Sequence, residues 1–114
     1  MALSAHQQAQ AKRLLAPVCA LSPDAAVRAQ LRIEYRIDRN AIVLYEARPR
    51  WQRPKEWMEE PVAKFRYVAS IDRWRLFCMW RDLKWHGYAR MPEADSLAEL
   101  VREVRSDPTG IFWG

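Results

Sequence analysis

From Leu31 to Ile37 the chain alternates without a break, apolar at odd positions and charged at even ones. A period of two predicts a half-buried antiparallel strand with one wet face. Asp38-Arg39-Asn40 follows as a turn, and Asn40 suits the left-handed conformation of a three-residue hairpin loop. Such a loop sets Ile37 opposite Ala41, Tyr35 opposite Val43 and Ile33 opposite Tyr45, with Arg32 facing Glu46. A two-residue loop would oppose Ile33 to Glu46 and is disfavoured on that ground. The second strand, 41–48, is apolar on both faces, Ile42 and Leu44 on one and Val43 and Tyr45 on the other. That pattern fits a central strand, or one whose outer face a helix covers.

A third strand, 62–69, puts Ala63, Phe65 and Tyr67 on one face, with Lys64 and Arg66 on the other. A fourth, 73–80, groups Trp74, Leu76, Cys78 and Trp80, and so predicts that Trp74 and Trp80 are buried. Arg73, Arg75, Phe77 and Met79 face the other way. Asp82-Leu83 turns the chain into a short strand at 84–88. Between the second and third strands, 48–61 carries Pro49, Pro54, Pro61 and many charges, which predicts a long irregular connection. Trp51 and Trp57 within it either fold back on the sheet or form a binding surface.

Helices are expected at both ends. Ser4 with Gln7 makes a capping box for a helix that Pro17 should end at about Ala16. Its apolar stripe is mostly alanine, so light packing is expected. Ser22-Pro23-Asp24 opens a second, short helix. Ser96 with Glu99 is another capping box, followed by Leu97, Leu100, Val101 and Val104 at helical spacing, ending near Arg105. The last residues, Ile111-Phe112-Trp113-Gly114, would fray in water and are expected to dock. The elements sum to an α+β fold, with an antiparallel sheet of about four to five strands covered by helix on one face. The N-terminal helical segment is 1–30, and 31–114 holds the sheet, the C-terminal helix and the tail, in one compact domain.

Composition adds a charge map. The 114 residues suffice for a single core without staples, and the net charge is +5. Residues 31–90 hold fourteen Lys or Arg against eight Asp or Glu, +6, while 1–30 add +2 and 91–114 contribute −3. Positive charge therefore concentrates on the strands, which raises the odds of a polyanionic partner. Cys19 and Cys78 lie far apart and outside any C-x-x-C, so reduced thiols are expected, with no cofactor. The longest apolar run, Leu14 to Leu21, contains Pro17 and is too short to span a bilayer. With no signal pattern at the start, no membrane contact and a cytoplasmic location are expected.

RIEYRID, LYEARPRW, PVAKFRY, RDLKWHGY and the terminal DPTGIFWG, over roughly Leu31 to Gly114, resemble the DUF3024 family of small bacterial proteins. The resemblance implies a single small domain of unassigned function and carries over no catalytic residue.

Arginines and lysines interleaved with flat aromatic rings are the material of single-strand nucleic-acid binders, cations for phosphates and rings for bases. The candidate binding residues are Arg48, Arg50, Trp51, Trp57, Lys64, Arg66, Arg75, Trp85 and His86. The plain alternative has the charges solvating the outer face while the tryptophans fill the core. An acidic protein partner fits the same residues, since Trp and Arg anchor interfaces, and an open sheet edge could pair two copies into a homodimer. Catalysis has weaker support. His86 lies near Asp82 and Tyr88, the usual material for acid–base work. Glu46-x-Arg48 faintly matches a nuclease core, with Glu34 and Glu46 converging, but the partner aspartate is missing and arginines lie among them. A His86/Glu46 hydrolase or nuclease is therefore the remote alternative, and no metal-ligand spacing is present.

Overall fold

The computed structural model describes residues 2–20 and 31–114. The expected helix at Ser22 falls in 21–30, outside the described residues. The elements are α1 (Ala5–Cys19), β1 (Arg32–Asp38), β2 (Ala41–Arg50), β3 (Arg53–Val68), β4 (Arg73–Met79), β5 (Trp85–Gly87), β6 (Glu93–Ala94) and α2 (Leu97–Ser106). They form an α+β domain whose antiparallel sheet runs β1-β2-β3-β4-β5, with β6 also pairing β4. The two helices pack against one face, the inner one.

That face is built by the alternation of the strands. Ile33, Ile42, Leu44, Ala63, Phe65, Trp74, Leu76 and Cys78 point inward and join Leu15, Val18, Leu97, Leu100 and Val104 in one core. α2 begins at the expected capping box, Ser96 Oγ accepting from the Glu99 amide and Glu99 accepting from the Ser96 amide. It ends at Asp107, whose left-handed backbone (φ 43°) turns the chain. The Asp107 carboxylate then accepts the amides of Phe112 and Trp113. Phe112 is buried against the Tyr88 ring, and the Trp113 indole donates to the Val104 carbonyl at 2.9 Å. The tail is docked.

Several expectations are corrected. α1 runs through Pro17 to Cys19 instead of stopping at Ala16, and it packs firmly. Ala11, Leu15 and Val18 fall at i, i+4 and i+7, all buried in the core, so burial outweighs the one helical hydrogen bond that proline removes. The first hairpin has a two-residue loop, not three. Asp38 opposes Ala41, Ile37 opposes Ile42, Tyr35 opposes Leu44 and Ile33 opposes Glu46. The left-handed residue is Arg39 (φ 55°), not Asn40. Asn40 instead ties the turn to β3, its carbonyl accepting from the Tyr67 amide and its side chain donating to the Tyr67 carbonyl. This register stacks β1's apolar residues on Ile42 and Leu44, and Glu46 stays only half-buried at the far end, bonded to Arg48. Arg32 therefore faces Ala47, and Glu34 and Glu46 lie on opposite faces.

The largest correction concerns 48–61, which is not an irregular loop. β2 and β3 continue past the rest of the sheet as a two-stranded arm that closes at Trp51-Gln52. Its prolines are tolerated for positional reasons. The β2–β3 pairing shifts register between Leu44 and Tyr45, and again between Pro49 and Arg50. Pro61 and Pro54 sit at those irregularities, where a missing N–H removes no regular ladder bond. Pro49 lies beyond the last β1 partner, Ala47.

Candidate functional site

The nine candidate residues fall into separate groups. Arg48, Arg50, Trp51 and Trp57 are on the arm. Trp51 occupies the tip and is 89% exposed, beside Arg50, Gln52, Arg53 and Met58, which line a shallow hollow with it. Trp57 is 37% exposed because the Arg32 guanidinium lies over its ring, 4.4 Å from the centroid. The arm's cations have acidic neighbours: Arg48 bonds Glu46 at 2.6 Å and approaches Glu60, while Arg50 and Arg53 both approach Glu56. Bonding to Glu46 raises the Arg48 pKa above its ordinary value.

Charge along the arm is unevenly placed. From Arg50 to Trp57 the chain carries Arg50, Arg53 and Lys55 against Glu56, a net +2. The base carries Arg48 against Glu46, Glu59 and Glu60, a net −2. Glu59 also pairs with Arg36 of β1. The arm is thus neutral as a whole, with a cationic aromatic end standing on an acidic base.

Lys64, Arg66 and Arg75 form the second group, on the outer face of the sheet. Lys64 and Arg66 both lie over the Phe77 ring, at 5.9 and 5.0 Å from its centroid. Arg66 and Arg75 are cross-strand partners, and Arg75 approaches Glu93 at 3.5 Å. Arg66 and Arg75 also line a cavity of 680 Å³ between the β3–β4 turn and the start of α1, with Ser4, Gln7 and Asn40. Among the described residues no helix covers this face. Val43 and Tyr45 are nonetheless buried on it, and the Arg36 guanidinium lies 5.3 Å from the Tyr45 ring centroid.

Trp85 and His86 form the third group, on β5 at the far side of the sheet. His86 Nε2 is 2.8 Å from the Asp82 carboxylate, and its ring stacks on Trp80 at 3.6 Å. The bond to His86 is the main cause of a lowered Asp82 pKa. Trp80 is 50% exposed, which corrects the expectation that it would share Trp74's burial. β4 has left its β3 partner by that point, the last pair being Ala63 with Cys78, so no β3 residue lies alongside the ring and the His86 stack covers only one of its faces.

Two strands, β3 and β4, separate Glu46 on β2 from His86 on β5, a gap of roughly 14 Å at ordinary strand spacing. Those residues do not make one active site. Among the described residues no three His, Cys, Asp or Glu side chains gather as metal ligands, and no helix is long and apolar enough to cross a membrane.

Sequence reasoning missed Arg53 and Lys55 at the tip and Phe77 on the sheet. The signal for the tip was cross-strand charge, Arg48 answering Glu60 and Arg50 answering Glu56. That signal is legible only once the prolines are read as permitted in a strand.

A family model described as a domain of unknown function, DUF3024, matches residues 3–114. No curated protein and no solved structure matches the chain.

Proposed function

The chain belongs to the DUF3024 family, and on that premise we propose that it is a non-catalytic binding module that grips single-stranded nucleic acid at the arm tip. The observation that carries this reading is Trp51, 89% exposed at the end of a hairpin. An indole left in water on a built projection is costly unless something covers it. Arg50, Arg53 and Lys55 outnumber Glu56 around it, so the tip offers one flat ring for a base and an excess of cations for phosphates. Lys64, Arg66 and Arg75 on the outer sheet face would extend the track for a longer strand.

The test is fluorescence titration with short oligo(dT) and oligo(U) at several salt concentrations. Quenching should saturate, and log affinity should fall linearly with log salt, with a slope of about −2 for about three phosphate contacts on a single strand. Trp51→Ala should abolish most of the quenching while leaving the fold intact. Absence of quenching at low salt, or quenching that survives Trp51→Ala, would overturn the reading. A partner that engages Trp51 with little dependence on salt would instead favour a protein interface.

A further inference from the structure

The outermost strand, β1, carries the sequence Arg32-Ile33-Glu34-Tyr35-Arg36-Ile37-Asp38 and pairs only with β2 among the described residues. The side to which its backbone points follows from the turn. The Asn40 carbonyl bonds to β3, so even positions of β2 turn their peptide groups to β3 and odd positions turn theirs to β1. Ala41, Val43, Tyr45 and Ala47 therefore bond Asp38, Arg36, Glu34 and Arg32. The N–H and C=O groups of Ile33, Tyr35 and Ile37 consequently point away from the sheet.

An edge that no strand pairs among the described residues is a template for another strand. We propose that the partner is a second copy of this chain, its β1 pairing antiparallel with this one about a two-fold axis at Tyr35. In that register Arg32 meets Asp38 of the other copy, Ile33 meets Ile37, Glu34 meets Arg36, and Tyr35 meets itself. Every charge faces its opposite and every apolar residue faces an apolar one. The outward peptide groups of Ile33, Tyr35 and Ile37 pair with those of Ile37, Tyr35 and Ile33. Ile37, exposed in the single chain, gains a neighbour.

The register is selected, not merely allowed. Moving the axis to Glu34 sets Glu34 against itself and Arg32 against Arg36. Moving it to Arg36 sets Arg36 against itself and Glu34 against Asp38. Both neighbouring alignments therefore stack like charges directly opposite each other, which destabilises a strand pair. Moving further shortens the overlap. The result is one sheet continuous across an isologous dimer, with the outer faces of the two copies side by side and the two arms free. The inference is independent of what the arm tip binds.

Charge reversal tests it. By sedimentation equilibrium the wild-type chain should show twice the monomer mass at micromolar concentration. Glu34→Arg and Arg36→Glu should each weaken the dimer at least about tenfold, because each sets like charges opposite in both symmetric pairs. An equimolar mixture of the two should recover the dimer, since positions 34 and 36 are then both cationic in one chain and both anionic in the other. Far-UV circular dichroism checks that both fold. Should either variant fail to fold, Ile37→Pro keeps the proposal falsifiable, since it removes only an outward-facing N–H. A monomeric wild type overturns the proposal, as does a monomeric mixture of folded variants. So does a dimer that survives either the single reversals or Ile37→Pro.

Discussion

Glu103 is the buried charge among the described residues, and its surroundings explain how it is tolerated. The Tyr88 hydroxyl donates to it at 2.6 Å and the Arg90 guanidinium at 3.0 Å, so its carboxylate is both neutralised and hydrogen-bonded. Glu103→Ala leaves the buried phenol without an acceptor. It should lower stability by about 1–3 kcal/mol, read from denaturant unfolding. The tyrosines also set a pH limit. Burial and then the Glu103 bond raise the Tyr88 pKa, burial and then Glu34 raise that of Tyr45, and the Asp72 bond raises that of Tyr67. Each folded-state value lies above the unfolded one, so the protonated phenol favours the fold. That contribution is complete below the ordinary tyrosine pKa of about 10 and is lost as pH rises through the higher folded values. Near-ultraviolet absorbance should show these phenolates forming late, together with alkaline unfolding.

At the scale of elements, the two capped helices and the arm differ in what holds them. α2 starts on a complete capping box and buries Leu97, Leu100, Val101 and Val104. Ser96→Ala should therefore cost about 1 kcal/mol, seen as a lowered unfolding midpoint. The arm has no such support. Beyond Tyr45 its residues are mostly exposed, and it is held by its backbone ladder and by surface ion pairs, each worth little alone. A hairpin projecting from a sheet is marginal by itself. Native-state hydrogen exchange should find Trp57 to Glu60 opening well before Ala63 to Tyr67 on the same strand. Trp51→Ala should change stability by no more than about 0.5 kcal/mol, since the ring touches little. Any loss of binding in that variant would then belong to the contact and not to the fold.

Across the whole molecule, the tail closes the core that α2 and β4 begin. Removing Phe112 to Gly114 uncovers the Tyr88 ring and leaves the Asp107 carboxylate without the amides it accepts. Burying one such phenylalanine is worth about 1.5–3 kcal/mol, so the truncated chain should melt well below the full one in a thermal scan. The alternating charge of RIEYRID, the inward set Ala63, Phe65, Trp74, Leu76 and Cys78, and both capping boxes were determined by the sequence itself. They depend on periodicity and on contacts within a few residues. The hairpin register, the path of Pro49, Pro54 and Pro61, the passage of α1 through Pro17 and the exposure of Trp80 were decided only by tertiary structure. In each case the local rule was outweighed, or left without effect, by what did or did not lie alongside. A proline costs a strand nothing where no neighbour needs its N–H, and a tryptophan on the inner face stays wet where the neighbouring strand has already ended. The candidate site divides in the same way: its residue types were legible in order along the chain, but the isolation of Trp51 at a cationic tip is a property of the folded arm.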